Sequence, residues 1–310
     1  MKNLNRTVYI IAGPTAVGKS IIAQYLAKRV HGEIVNCDSI QLYKYLDIGS
    51  AKPSKEDMES VPHHLYGIVD PKINVTVAQY QTLALKVIDN IIARGKTPIV
   101  CGGTGLYMNS ILYDMDFAAT AGDGGKRRRE LEDMAERLGG EYMYEILSGL
   151  DPESAERIHP NNTRKVVRAI EAYESGSNVK DINDCPLREG YNFKLFGITM
   201  DREWLYDRIN RRVLKLVKAG LLDEIKGLMA MGYNEDTPAL KGIGYKEFIA
   251  YYRGEIPELK DAILDVMKNT RHYAKRQLTW LKRYGDMLHW VEIERNDSVG
   301  KIVDEILAVE

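Results

Sequence analysis

Residues Gly13 to Ser20 read GPTAVGKS, two glycines, a lysine and a hydroxyl at the G-x-x-x-x-G-K-[ST] spacing of a phosphate-binding loop. Each residue type has a task there. The glycines let successive backbone N–H groups turn inward, the helix that follows adds the positive end of its dipole, Lys19 reaches a terminal phosphate, and the Ser20 hydroxyl can hold Mg²⁺. Thr7–Ala12 before the loop is apolar and β-branched, as a buried parallel strand requires, and Ile21, Ile22, Tyr25, Leu26 and Val30 after it keep helical spacing. Gly13, Pro14, Thr15, Ala16, Val17, Gly18, Lys19 and Ser20 are therefore expected to bind a polyphosphate, either a diphosphate or a nucleotide.

Two further stretches carry chemistry. Glu33–Cys37 reads as a second strand and runs into Asp38–Ser39–Ile40–Gln41; ligands in open α/β sheets gather at the carboxyl ends of strands, so Asp38 is a site candidate, with a plain helix N-cap as the competing role. Thr97–Cys101 reads as another buried strand and ends in Gly102–Gly103–Thr104–Gly105, a glycine-rich turn that opens a helix and whose Thr104 hydroxyl would face the same crevice. His63 and His64 suggest a metal, but neighbours on a strand point to opposite faces and are not expected to share an ion. Cys37, Cys101 and Cys185 are widely spaced with no C-x-x-C pair, which gives neither a disulfide framework nor a zinc site.

The elements that must position these residues alternate strand and helix, with a short strand expected at Leu65–Val69, a helix over Thr76–Arg94, strands at Lys194–Thr199 and Met287–Val291, one or two helices over Arg202–Met231, and a last helix over Val299–Val309. From 114 to 191 the alternation stops, and 126–138, 141–149, 151–159 and 163–176 all read as helical. The expectation is an α/β fold: a P-loop NTPase-like core of residues 1–113 and 192–310, its mostly parallel sheet flanked by helices, with an all-helical insertion domain at 114–191.

The last long helix, about Glu258–Tyr284, shows an apolar stripe of Leu259, Ile263, Val266, Thr270, Tyr273, Leu281 and Tyr284. Lys268, Arg271, Lys275 and Lys282 stack on the other side, with no acidic residue between Thr270 and Tyr284. A solvated face normally mixes both signs, so this one suits phosphates.

At 310 residues, 45% hydrophobic, the chain can bury a sizeable core. A formal net charge of −1 does not by itself indicate a nucleic-acid binder; local clusters such as Lys126–Arg129 and Arg164, Lys165, Arg168 say more. No apolar run is long enough to span a bilayer and the N-terminus carries no signal-peptide pattern, so a cytoplasmic protein without membrane contact is expected. On the residues alone a small-molecule P-loop kinase and a group transferase both stay open, as does a nucleic-acid-binding nucleotide switch.

Six motifs in order, Asp38–Tyr43 after the phosphate loop, Ala51–Lys52–Pro53, Pro62–His63–His64, Gly102–Tyr107, Ile243–Glu247 and Thr270–Trp280, resemble the tRNA isopentenyltransferase family, the tRNA dimethylallyltransferases, over about Val8–Trp290. The resemblance implies transfer of the dimethylallyl group of dimethylallyl diphosphate to the exocyclic amine of the adenine just 3′ of the anticodon, with Mg²⁺ at Ser20 and release of diphosphate. It implies Asp38, Thr104 and Lys19 as catalytic residues; Arg271, nearest the inner half of the last long helix, is expected as a further, bidentate diphosphate ligand. Asp38, Ser39, Ile40, Gln41, Thr104, Arg127, Arg164, Arg168, Lys275, Arg276, Gln277 and Trp280 would contact tRNA. A monomer with tRNA and dimethylallyl diphosphate as its partners, and no obligate protein partner, is the matching expectation.

Overall fold

The computed structural model describes residues 6–115, 126–175 and 185–309. The chain divides into two compact units, Met1–Leu112 with Glu189–Glu310, and Tyr113–Arg188. In the first unit β1 (Thr7–Ala12), α1 (Lys19–Arg29), β2 (Gly32–Cys37), α2 (Lys55–Ser60), β3 (His63–His64), α3 (Val77–Ala93), β4 (Thr97–Gly102) and α4 (Gly105–Leu112) alternate. The second unit holds α5 (Lys126–Leu138), α6 (Gly140–Leu150), α7 (Pro152–Arg157) and α8 (Thr163–Glu174). The chain returns through β5 (Asn192–Met200), α9 (Arg202–Lys218), α10 (Leu221–Ala230), α11 (Lys246–Tyr252), α12 (Leu259–Leu281), β6 (Leu288–Ile293) and α13 (Val299–Ala308).

The sheet runs β3-β2-β4-β1-β5-β6, and every pairing in it is parallel. Parallel strands covered on both faces can be apolar throughout, which is why β2 is buried along its whole length. β1 lies between β4 and β5, with Ala12 beside Gly102 and Gly197, while Gly102 also pairs with Cys37. The loops leaving β1, β2 and β4 therefore meet at one edge of the sheet, where a doubly wound fold holds its ligand. The second unit closes on its own core of Leu131, Met143, Leu147, Val166, Val167 and Ile170. Among the described residues no helix is long and apolar enough to cross a membrane.

Two elements depart from the sequence reading. The expected strand at Leu65–Val69 does not form; β3 is two residues long because Leu65 and Gly67 take left-handed φ of 66° and 60°. The one or two helices expected over 202–231 are two, parted at left-handed Gly220. α11 was not expected, and it is stitched by Glu247, whose carboxylate accepts from Gly244 N at 2.8 Å and Asn269 Nδ2 at 2.7 Å.

The paired histidines serve the fold. His63 Nδ1 lies 2.7 Å from Val61 O, and His64 Nε2 lies 2.7 Å from Glu33 Oε2. Arg94 donates to both Glu33 oxygens at 2.5 and 2.7 Å, which with the His64 contact holds this buried carboxyl down at about 2. A depressed carboxyl stabilises the fold fully above its ordinary value of 4.5, and that contribution drains away as pH falls from there toward 2. Glu33→Gln should cost about 1–3 kcal/mol at neutral pH, because Arg94 and His64 lose a charged partner. It should also flatten the loss of thermal stability between pH 5 and 3, which melting curves of both chains would measure.

Candidate active site

The phosphate loop leaves β1 and becomes α1 at Lys19, with left-handed Gly18 at the cap. It forms one wall of a cleft of about 500 Å³; the other wall is α9, which presents Trp204, Arg208, Arg211, Arg212 and Lys215. Arg208 Nε donates to Ala16 O at 3.0 Å and so braces the loop itself. Arg211 is held by Asp207 at 2.7 Å. Arg212 has its pKa lowered by burial, against the opposing pull of the Asp38 carboxylate. Lys19 Nζ donates to Pro14 O at 2.8 Å, and burial brings its ammonium down to about 8 although Cys101 and Asp38 act to raise it. Five cationic side chains lining one cleft are a site for a multiply charged anion.

Beside it the exits of β2 and β4 are bonded together. Thr104 N donates to Cys37 O at 3.1 Å, and Ser39 N donates to Thr104 Oγ1 at 3.1 Å. Asp38 caps no helix: residues 39–42 form turns, and Asp38 Oδ1 accepts from Ile40 N at 3.0 Å. Fully buried Asn36 fixes this corner, accepting from Asp38 N at 2.9 Å and donating to Asp38 O and Leu65 O, both at 2.9 Å. Tyr273 of α12 lies beside Thr104 and Asp38; burial raises its pKa and the charge of Asp38 adds to the rise, so the phenol stays protonated. Burial likewise pushes the Cys37 and Cys101 thiols up, to about 12 and about 11, which keeps them unreactive.

α12 locks the two loops to each other. Gln277 Oε1 accepts from Thr15 N at 2.8 Å, and Gln277 Nε2 donates to Gly103 O at 3.0 Å. Gln277 is only 6% exposed with both ends of its amide engaged: beside the expected tRNA contact, it is the tie between the phosphate loop and the second glycine loop. Trp280 packs over Gly105, where a Cβ would come within 2.3 Å of the indole Nε1. The buried stripe is Ala262, Val266, Met267, Ala274, Gln277 and Leu281, rotated from the expected one, which leaves Thr270 and Tyr273 partly open.

The structure sorts the remaining expected residues. Arg271, expected at the diphosphate, donates from Nη1 to Asn210 Oδ1 at 2.7 Å and joins α12 to α9; it is not among the residues lining the phosphate cleft. Gln41 Nε2 donates to Ser50 O and Ala51 O, both at 3.0 Å, and holds that turn. Ser39, Ile40 and Trp280 are partly exposed; Lys275 and Arg276 are exposed. In the second unit Arg127 binds both oxygens of Glu174 at 2.7 Å and is no free cation. Arg164 and Arg168 of α8 are exposed and, among the described residues, make no ion pair. Sequence reading missed Tyr273, Arg208 and Arg212. The signal for Tyr273 was its i, i+4, i+7 alignment with Gln277 and Trp280, and for the arginines the R-x-x-x-R spacing on one face of α9.

Comparison with known proteins decides what this geometry belongs to. The family model described as IPP transferase matches residues 41–284. The chain belongs to the IPP transferase family. A relative from Alkaliphilus oremlandii named tRNA dimethylallyltransferase is 45% identical over 98% of this chain and 97% of its own length. The solved full-length tRNA isopentenylpyrophosphate transferase of Bacillus halodurans superposes with a TM-score of 0.72 at 39% identity, covering 98% of this chain and 96% of that one. A eukaryotic dimethylallyltransferase solved while acting on tRNA gives a TM-score of 0.80 at 29% identity, over 93% of this chain and 74% of that one. Like these IPP transferases the chain is an enzyme, a transferase built on a P-loop core.

Proposed function

We propose that this chain transfers the dimethylallyl group of dimethylallyl diphosphate to the exocyclic amine of the adenine 3′-adjacent to the anticodon of tRNA. The observation that carries the reading is the junction of two sites: a five-cation cleft at the phosphate loop, and an Asp38–Thr104–Tyr273 cluster bonded to it through Gln277. The allylic C–O bond breaks and its electrons leave with the diphosphate. Lys19, Arg208 and Arg212 offset the charge that develops on that leaving group. The adenine amine is a poor nucleophile because its lone pair is delocalised into the ring, so as its nitrogen bonds the allylic carbon, Asp38 takes the proton. Thr104 and Asn36 hold the corner that presents Asp38, with Tyr273 beside it.

No group of three or more metal-ligating His, Cys, Asp or Glu side chains occurs among the described residues; the Ser20 hydroxyl with phosphate oxygens and water is a donor set that fits Mg²⁺. Bound there, it would add charge neutralisation on the diphosphate. The reacting adenine must leave its stack, which places the protein's contacts on an unpaired loop and its flanking backbone. Ser39, Ile40 and Trp280 border the reacting corner, and Lys275, Arg276, Arg164 and Arg168 supply exposed positive charge. A cytoplasmic monomer acting on tRNA completes the reading.

Incubation with labelled dimethylallyl diphosphate and unmodified tRNA should move label into tRNA, whereas labelled ATP without tRNA should donate nothing. Label transfer from ATP would favour a kinase. The exposed lysines give a second measurement. Lys275→Ala with Lys282→Ala should flatten the log–log salt dependence of tRNA affinity by about 0.7–0.9 per lost phosphate contact and leave the KM for dimethylallyl diphosphate unchanged. An unchanged slope returns both lysines to ordinary solvated surface.

A further inference from the structure

The basic arc of α12 does not face the reacting corner. At about 100° of rotation per residue, Lys275 and Lys282 stand roughly half a turn from Tyr273, whose face carries Gln277 and Trp280. They open instead on a second cleft, of about 430 Å³, between α12, the first turns of α9 and the edge strand β6. Arg271 joins the two helices at Asn210, and toward the Arg202 end the space between them is free. The floor is apolar, with Met200, Leu205 and Leu278; Arg202, Lys275 and Lys282 rim it; no carboxylate lines it. All three cations are exposed, and among the described residues none of them forms an ion pair. One wall is Trp290, 41% exposed, which lies against the bare backbone of Gly197, where a Cβ would come within 3.0 Å of the indole. Tyr206 is the other aromatic wall, with the Arg202 guanidinium 5.2 Å from its ring centroid.

We propose that this cleft is a second tRNA subsite, taking one unpaired nucleotide of the anticodon loop, its base against Trp290 and its phosphate among Lys275, Lys282 and Arg202. The inference rests on tRNA being the substrate. An exposed indole over an apolar floor offers a stacking face that only an unpaired base can meet, since a paired base shows its edges and not its faces. Three cations at the rim match the phosphate on either side of that base. The volume falls within the range of small-ligand sites and suits a single nucleotide rather than a helix. Because the cleft lies around α12 from the reacting corner, it would hold a nucleotide other than the one modified. It would thus fix the register of the loop on the enzyme.

The test uses the full chain and an anticodon stem–loop RNA carrying one abasic substitution at a time in its loop. Trp290→Ala should weaken stem–loop affinity about tenfold, the scale of one lost base stack, with kcat and the KM for dimethylallyl diphosphate unchanged. Trp290→Phe should recover most of the loss. One abasic position should weaken wild type by the same factor and have no effect in Trp290→Ala; melting curves of both variants verify that the fold is intact. Wild-type affinity in Trp290→Ala, or abasic losses that add to it at every position, overturns the subsite. Saturable quenching by AMP of the fluorescence component that Trp290→Ala removes, together with a silent abasic scan, overturns it too, in favour of a free-nucleotide site. Failure of the wild-type chain to bind the stem–loop sinks the tRNA reading itself, a different outcome from an indifferent Trp290→Ala.

Discussion

Asp38→Asn is expected to slow transfer of the dimethylallyl group by about a hundredfold or more while tRNA affinity hardly moves. The substitution is discriminating because of what it keeps. The carboxamide oxygen it introduces can still accept from Ile40 N, as Asp38 Oδ1 does at 3.0 Å, so the turn that carries Ser39, Ile40 and Gln41 stays closed. Asn36 still fixes the backbone on both sides. What is lost is the ability to take a proton from the adenine amine, together with the negative charge that attracts Arg212 and Lys19. Loss of that charge strengthens the cleft for an anion, so the KM for dimethylallyl diphosphate should stay level or fall as kcat drops. A purely structural Asp38 would give the opposite split, weaker binding at near-normal turnover. Turnover within a few-fold of wild type sinks the general-base role.

The two centres of this site were legible from the chain because each is set by local rules. A glycine-rich loop between a buried strand and a helix has one reading, and the exits of β2 and β4 had to lie beside it once the sheet was parallel. What joins those centres was not legible. The helical wheel of α12 shows which residues share a face, but not which face the rest of the chain covers. Gln277 therefore looked like one more polar residue in a basic run, and only the fold shows its amide closing on Thr15 and Gly103. The tie of Arg271 to Asn210 was hidden for the same reason, since Asn210 lies 61 residues away. The α9 arginines were visible as a cluster of charge, yet their tie to the phosphate loop depends on a long-range contact between Arg208 and Ala16. The short β3 failed on backbone grounds: nothing in the Leu65 side chain announces a left-handed φ.

Lys19→Ala should raise the KM for dimethylallyl diphosphate and lower kcat together, with turnover down by about a hundredfold or more, because the ammonium meets a charge that grows as the C–O bond breaks. The wild-type lysine also predicts a pH profile. Burial has brought its pKa from 10.5 down to about 8, so the free enzyme carries the charge below that point and loses it above. The apparent kcat/KM for dimethylallyl diphosphate should accordingly fall as pH rises through 8, and Lys19→Arg, which cannot lose its proton in this range, should remove that fall. Stability moves the other way. Between pH 8 and 10.5 the unfolded chain binds the proton that the folded lysine has released, so the fold gains stability as pH rises. At neutral pH the same linkage means that the charged lysine is held at a cost, and Lys19→Met should melt higher than wild type by the equivalent of roughly 1 kcal/mol, allowing for the partial exposure of the side chain. Profiles of kcat/KM and melting temperature against pH, measured on the same three chains, test both signs at once. A flat kcat/KM between pH 7 and 9, or a Lys19→Met chain that melts lower than wild type, removes the lysine from the role of a destabilised charge kept for the leaving group.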